Sequence, residues 1–431
     1  MEYSEALVYI DAHTNYEKTG RIESPSLDNM QRLMAYLGDP QLAYPVIHIT
    51  GTNGKGSTAQ MISRLLVAHG LTVGTMTSPH LERINERMCL NGESIEDQDF
   101  ADQVAAIADI EVLAGVSPTF FELVTACAFR WFADVAVDVA VIEVGMLGRW
   151  DATNVVDAQV AVVTNVGMDH AQFAGPTLLD IAREKAGIIK PGSTLVLGET
   201  TPELTAIFKA ERAEKVIERD VDFACVQNEL ALGGRLCSFR TPYAAYSDVF
   251  IPLHGQHQGD NAALALAAVE AFFEAPVQED VLNEGFASVR WPGRFEVLGH
   301  QPLVIIDGAH NPHGADACAA VFAEDFDPSG QRIMVVGFLS SQDPSAMLAA
   351  LRADEADRVI CCTPPSARAV PAKDTAEAAR RLGCDTVEVV ERVNLACDCA
   401  LLNARSDDAI LVTGSLYLVG EARPYLKKAL P

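Results

Sequence analysis

Residues 45–57 read PVIHITGTNGKGS. An apolar, β-branched run (Val46, Ile47, Ile49, Thr50) meets a loop holding Gly51, Gly54 and Gly56, and a helical pattern follows from Thr58 to His69. Strand, glycine-rich turn and helix together make a phosphate-binding geometry. Glycines let backbone N–H groups approach an anion, and the helix N-terminus adds partial positive charge. The candidate cradle is Thr52, Asn53, Gly54, Lys55, Gly56 and Ser57. Lys55 is placed to neutralise β/γ oxygens, and the Ser57 hydroxyl to ligate Mg²⁺. A strict Walker A loop carries a glycine five residues before its final Gly-Lys step. Ile49 stands there, so the match is to a shorter form, GTNGKGS. The bland alternative is an ordinary glycine turn. The order strand, loop, Lys, Ser, helix favours phosphate.

Working outward, the chain has 431 residues, room for two or three domains, and is 49% hydrophobic and 21% charged, so it can bury a full core. Its net charge of -27 argues against nucleic acid and anionic membrane surfaces as partners. It does not exclude an anionic small substrate, because local Lys, Arg and Mg²⁺ can invert the field. A saline habitat also favours such a surface. The ten cysteines show no CxxC pair, which fits reduced thiols better than a disulfide framework or zinc site. The N-terminus lacks a basic n-region and an apolar h-region, and no window holds 18 consecutive apolar residues. A cytoplasmic protein is expected.

Residues 1–44 read as two helices, with Ser26 a cap for the second and Gly38 near its end. The basic loop Glu17 to Arg21 between them is equally a ligand contact or a solvated turn. Leu71–Thr75 reads as a strand ending at Ser78, Pro79 and His80, the edge where open α/β sheets place ligands. Arg83 and Arg87, one helical turn apart, are either surface charges or anion-steering residues. Val135–Val144 is a continuous apolar run of the kind buried in a parallel sheet, ending in Glu143. A carboxylate there needs a partner. Mg²⁺ shared with Ser57 would supply one; a capping or salt-bridged glutamate is the alternative. Ala158–Thr164 is a further strand leading to Asp169 and His170, and a lone histidine there is more often structural than a ligand. A helix over Thr177–Gly187 carries Lys185. Residues 216–253 suggest a small antiparallel sheet around Gly233-Gly234. The loop Gln256 to Asn261 is expected to open an Ala-rich helix.

Trp291 to Arg294 reads as a domain boundary. Beyond it strands are expected at Leu303–Ile306, Ile333–Val336, Arg358–Cys362, Thr386–Val390 and Ile410–Thr413. The first ends in DGAHNP (Asp307 to Pro312) and the last in TGSLYLVGEAR, which holds Ser415. The expected fold is α/β: a P-loop, parallel-sheet ATPase domain with a small antiparallel subsheet (1–294), then a smaller Rossmann-like domain (295–431).

The ordered motifs are GTNGKGS, TSPHLERINER, EVGMLGRWDATN, TNVGMDH, IAREKAGIIK, HQGDNAALAL, PGRFEVL, DGAHNP and TGSLYLVGEAR. Together they resemble the folylpolyglutamate synthase and dihydrofolate synthase family of the Mur ligase superfamily, over residues 5–425. The resemblance implies an ATP-dependent, ADP-forming ligase. A carboxylate of dihydropteroate, or the γ-carboxyl of a folate, becomes an acyl phosphate that the amine of L-glutamate attacks. It implies ATP, one or two Mg²⁺ ions and a monovalent cation as cofactors, and a monomer. Ser57 and Glu143 match the family's first Mg²⁺ site, His170 a ligand of the second, and Lys185 a lysine carried as its CO₂ carbamate. Asn261, Arg294 and Asp307 match nucleotide contacts. His310 and Ser415 match the glutamate and acyl-phosphate end, and Ser78, Pro79 and His80 the acceptor loop, with Arg83 beside it. On this basis Lys55, Lys185, Asp307, His310 and Ser415 are the catalytic candidates.

Two departures stand out. Met146-Leu147-Gly148 replaces a usual Leu-Gly-Gly, so the backbone near Leu147 is expected to differ slightly. Ser341-Gln342-Asp343 stands where a Lys-Asp step is common, which puts one cationic contact in doubt. A monofunctional enzyme, a cell-wall Mur-type ligase and a non-catalytic nucleotide-binding regulator are the competing functions.

Overall fold

The computed structural model describes residues 1–16, 26–169, 171–326 and 328–430. The basic loop Glu17 to Arg21 and the candidate ligand His170 lie outside the described residues. Two compact units form: one from 1–16, 26–252 and 258–289, the other from 253–257 and 290–430.

The first unit is built on an eight-stranded sheet of β1 (Val46–Thr50), β2 (Val73–Met76), β3 (Met88–Leu90), β4 (Glu93–Ser94), β5 (Val139–Glu143), β6 (Val160–Val163), β7 (Thr194–Leu197) and β8 (Lys215–Glu218). Its order is β4-β3-β2-β5-β1-β6-β7-β8. Neighbours from β2 to β8 pair in parallel, and β3 and β4 turn back antiparallel at one edge. β1 and β5 are buried at every position, which is why they read as unbroken apolar runs. Helices Asp97–Ala114 and Phe120–Asp134 cover one face, burying Phe100, Phe121, Phe129 and Phe132. A three-stranded antiparallel sheet follows: β9 (Ala224–Ala231), β10 (Gly234–Arg240) and β11 (Ala245–Ile251).

The second unit is a six-stranded sheet of β12 (Glu296–His300), β13 (Leu303–Asp307), β14 (Arg332–Val336), β15 (Arg358–Cys361), β16 (Val387–Val389) and β17 (Ala409–Thr413), in the order β12-β13-β17-β14-β15-β16. Only β12 is antiparallel, so the doubly wound expectation for this region holds, with one extra edge strand.

Several sequence expectations are corrected. The run from Val135 is not all strand: Val135 closes a helix, Ala136 turns through φ +53°, and the strand starts at Val139. Residues 215–218 join the parallel sheet through β7, not the antiparallel one; as an edge strand with only Ile217 buried, they carry no unbroken apolar run to mark them as parallel. β7 was not expected at all. Arg83 and Arg87 are not a matched pair on an α-helix. Arg83 precedes a 3₁₀ turn (Ile84–Arg87) in extended conformation; it is exposed and pairs with Asp97 at 2.6 Å, whereas Arg87 is fully buried. All ten cysteines are free. Among the described residues no helix is long and apolar enough to cross a membrane.

Candidate active site

The glycine-rich loop leaves the carboxyl end of β1, and the helix after it starts at Lys55, earlier than the pattern suggests. Gly54 caps that helix at φ +82°, a left-handed conformation that glycine adopts without strain. Lys55, Gly56 and Ser57 therefore supply first-turn N–H groups, which a helix cannot satisfy internally. Lys55 lies back along the loop, its Nζ donating to the carbonyls of Gly51 (3.1 Å) and Thr52 (3.2 Å).

The loop is held from the end of β6. Thr52 N donates to Asn165 O at 3.0 Å, Asn53 N to Asn165 Oδ1 at 3.0 Å, and Thr164 Oγ1 to Asn53 O at 2.6 Å. Gly167 N donates to Thr52 Oγ1 at 2.9 Å. Thr164 and Asn165 were missed as loop supports. Their signal is the Thr-Asn step that opens TNVGMDH directly after an apolar strand. Asn261 reaches the loop from the Ala-rich helix, where a Cβ on Gly54 would lie 2.5 Å from Asn261 Oδ1.

Gly51 is the tightest point. A Cβ there would stand 1.7 Å from Thr164 Oγ1, a separation no side chain accommodates. Gly51→Ala is expected to push the loop off Thr164 and raise the KM for ATP at least ~10-fold, the cost of about one good loop contact. Initial-rate kinetics over an ATP series check this, with the thermal midpoint as a control for global unfolding.

Glu143 ends β5 opposite Ile49, the last residue but one of β1. It is 4% exposed, and its Oε2 accepts from Ser78 N at 3.1 Å. The carboxylate thus fixes the start of the Ser78–His80 loop. His80 is held in turn: Arg87 Nε donates to His80 Nδ1 at 2.9 Å, and the guanidinium lies over Phe120. An imidazole accepting at Nδ1 carries its proton on Nε2, so His80 presents a donor there. The pairing of Arg87 with His80 was not foreseen, since burial of an arginine seven residues on leaves no sequence pattern.

Lys185 is 2% exposed, and its Nζ donates to Gly51 O at 2.7 Å, the carbonyl that Lys55 also contacts. Burial, with the nearby Lys55 charge adding to it, pushes its pKa down to about 7, against a smaller opposing pull from Asp169. The Leu147 departure lies behind this lysine. Leu147 keeps a left-handed backbone (φ +59°) although it is not glycine, is 8% exposed, and accepts from Thr50 Oγ1 at 2.5 Å. A Cβ on the next residue, Gly148, would meet the carbonyls of Glu184 and Lys185 at 2.9 Å, so this loop sets where the Lys185 helix sits.

Whether Mg²⁺ suits these residues follows from the donor set. Ser57 and Glu143 offer a hydroxyl and a carboxylate, both hard oxygen donors. Among the described residues no three His, Cys, Asp or Glu side chains cluster as a metal site. Mg²⁺ typically takes one or two protein oxygens and completes its shell with water and phosphate, so the pair fits.

The second unit carries Arg294, Asp307, His310 and Ser415. Asp307, at the end of β13, accepts from Phe295 N (3.0 Å) and Ala309 N (2.8 Å). Arg294 Nη1 donates to Gly308 O at 3.0 Å, and His310 Nδ1 lies 3.0 Å from the same carbonyl. That contact puts the His310 proton on Nδ1 and leaves Nε2 the basic nitrogen. Ser415 is 1% exposed and its hydroxyl caps the helix Leu416–Ala429 by accepting from Leu418 N at 3.2 Å. Gln342 sits among these loops.

Comparison with known proteins gives these features a family. The Mur ligase middle domain matches residues 49–269, and the Mur ligase glutamate ligase domain matches residues 293–416. A dihydrofolate synthase/folylpolyglutamate synthase of Mycobacterium tuberculosis is 40% identical, the alignment covering 93% of this chain and 89% of that protein. A probable bifunctional folylpolyglutamate synthase/dihydropteroate synthase of Halobacterium salinarum is 38% identical over 93% of this chain, which spans about half that relative's length (49%). The crystal structure of Mycobacterium tuberculosis folylpolyglutamate synthase complexed with ADP and AMPPCP superposes with a TM-score of 0.90 at 38% identity, covering 99% of each chain. The chain belongs to the folylpolyglutamate synthase/dihydrofolate synthase family of Mur ligases.

Proposed function

We propose that the chain is an ATP-dependent ligase that joins L-glutamate to dihydropteroate, to the γ-carboxyl of a folate, or to both, through an acyl phosphate. The observation that carries this is the buried pair around the phosphate loop: Lys185 on the Gly51 carbonyl and Glu143 level with the end of β1. A generic NTPase loop has no need of a buried amine behind it. The relatives' names supply the substrate class, and the ADP and AMPPCP of the Mycobacterium structure supply the nucleotide.

In this reading residues 1–294 bind ATP and the acceptor, and 295–431 handle glutamate. Thr52, Asn53, Gly54, Lys55, Gly56 and Ser57 hold the phosphates by backbone N–H groups and one cation, and Asn261 steadies the loop. Ser57 and Glu143 would hold Mg²⁺, with His170 and a carbamylated Lys185 as ligands of a second ion. Bound there, the metal supplies charge neutralisation for phosphoryl transfer. Lys55 aligns the γ-phosphate, and phosphoryl transfer needs such alignment more than covalent help. Ser78, Pro79 and His80 orient the acceptor, with the His80 Nε2–H as donor and Arg83 beside them. On the second unit Arg294 and Asp307 contact the nucleotide, while His310, through Nε2, and Ser415 border the amine of glutamate. The amine attacks the acyl carbon, a tetrahedral intermediate forms, and phosphate leaves. The enzyme works as a cytoplasmic monomer.

ADP release with L-glutamate and each of dihydropteroate, tetrahydrofolate and a UDP-muramyl acceptor tests the proposal. Turnover with one or both pteridine acceptors is expected. A response to the muramyl substrate alone would overturn it, and tight ATP binding without turnover on any acceptor would favour a non-catalytic regulator.

A further inference from the structure

We propose that Gln342 is the positioning residue for the amino-acid substrate: a neutral carboxamide clamp that locks together the loops leaving β13, β14 and β17. This rests on the ligase reading above, in which those loops handle L-glutamate.

The geometry is specific to an amide. Gln342 Nε2 donates to His310 O at 2.7 Å and to Gly414 O at 2.9 Å. Its Oε1 accepts from Leu339 N at 2.6 Å, and its own backbone N donates to Leu339 O at 2.9 Å. Both side-chain donors and the acceptor are therefore used, each on a different loop. β13, β17 and β14 are neighbours in the sheet, and Asp307, Thr413 and Val336 end them level with one another. Loops diverging from level strand ends need a cross-tie to share one surface, and among the described residues no backbone hydrogen bond joins these three beyond the strands.

What the tie holds is also informative. His310 precedes Asn311, the cap of the helix Pro312–Val321, and Gly414 precedes Ser415, the cap of the helix Leu416–Ala429. Gripping the carbonyls just before both caps fixes the spacing of two helix N-termini, the ends that favour negative charge. Gly414 has no slack to compensate. It lies at φ +119°, and a Cβ there would meet Phe338 at 2.7 Å and Gly337 O at 2.8 Å. The Lys-Asp step of the resembling family would offer donors to the two carbonyls but no acceptor for Leu339 N. Gln342 provides all three contacts without a charge.

Steady-state kinetics and amide hydrogen exchange on Gln342→Glu, Gln342→Ala and Gln342→Lys test this. Glutamate lacks donors and sets a negative charge against two carbonyl oxygens. The expected result is a KM for L-glutamate raised at least ~10-fold in Gln342→Glu and Gln342→Ala, with the KM for ATP within about twofold. Amides of 308–311 and 414–418 should exchange at least ~10-fold faster in both, and Gln342→Lys, which keeps donors for the two carbonyls but no acceptor for Leu339 N, should recover only part of the protection and of the glutamate KM. Unchanged exchange and unchanged glutamate KM in Gln342→Ala would overturn the clamp, as would equal rises in the KM for ATP and for glutamate. Should the parent enzyme show no glutamate-dependent turnover, the ligase reading fails, and exchange alone still decides whether the clamp exists.

Discussion

Glu143→Ala is expected to lower kcat by about 10² or more, roughly 2.7 kcal/mol of transition-state stabilisation, the scale of losing a metal or oxyanion-hole contact. Two jobs are lost together. One is the hard oxygen donor that the proposed Mg²⁺ site takes from Glu143; the other is the acceptor for Ser78 N, which positions the His80 loop. Glu143→Gln separates them, because its amide oxygen still accepts from Ser78 N but carries no charge. The acceptor KM should recover in Glu143→Gln while kcat stays low and half-maximal activity needs more Mg²⁺. Stability gives an independent readout. A carboxylate 4% exposed is costly unless paired or metal-bound. The ligand-free alanine variant should therefore lose little thermal stability, while the stabilisation that Mg·ATP gives the parent should largely vanish. A kcat within threefold of the parent would remove Glu143 from the metal site.

How much of this was legible depends on where burial is written. The phosphate loop and the strands of the second unit were readable because parallel strands buried on both faces leave unbroken apolar runs. Their carboxyl ends are marked by glycine and polar steps such as DGAHNP and TGS. β7 was lost because Thr194–Leu197 is four residues long and follows Pro191-Gly192, which reads as a stop. The Val135 start failed because nothing in an alternation of Val, Ala and Asp announces a left-handed turn at Ala136.

Within the candidate site the residue types and most positions were visible, whereas partnerships were not. Arg83 and Arg87 look alike in sequence, yet one is an exposed partner of Asp97 and the other a buried support for His80. Leu147 and Gln342 were noticed only as departures. The structure turns both into contacts. Leu147 holds a glycine-like backbone against Thr50, and Gln342 ties three loops. Long-range hydrogen bonds of this kind leave no periodicity to read.

The second large effect is expected at Lys185. Its Nζ shares the Gly51 carbonyl with Lys55, so two ammonium groups meet at one acceptor in a buried place. The ammonium first gives up one proton; addition of CO₂ to the resulting neutral amine forms a C–N bond and releases a second proton, so that over the two steps a positive charge is replaced by a negative one. Repulsion between Lys185 and Lys55 then becomes attraction, and carboxylate-like oxygens appear where a hard cation can use them. The reaction needs the neutral amine. With a pKa lowered from 10.5 to about 7, Lys185 is about half neutral at pH 7, where an ordinary lysine is almost wholly protonated. The sign for stability follows. The folded state binds the proton less tightly than the unfolded chain, so the unmodified lysine destabilises fully below about pH 7, and the penalty is relieved as pH rises from about 7 toward 10.5. CO₂-depleted enzyme should accordingly regain activity on adding bicarbonate at pH 8, and much more slowly at pH 6, with a carbamate carbon visible by NMR when ¹³C-bicarbonate is used. Lys185→Ala should fall in kcat by about 10² and ignore bicarbonate. A CO₂-free enzyme that keeps full activity, with no carbamate signal, would reduce Lys185 to a buried amine that braces the Gly51 carbonyl.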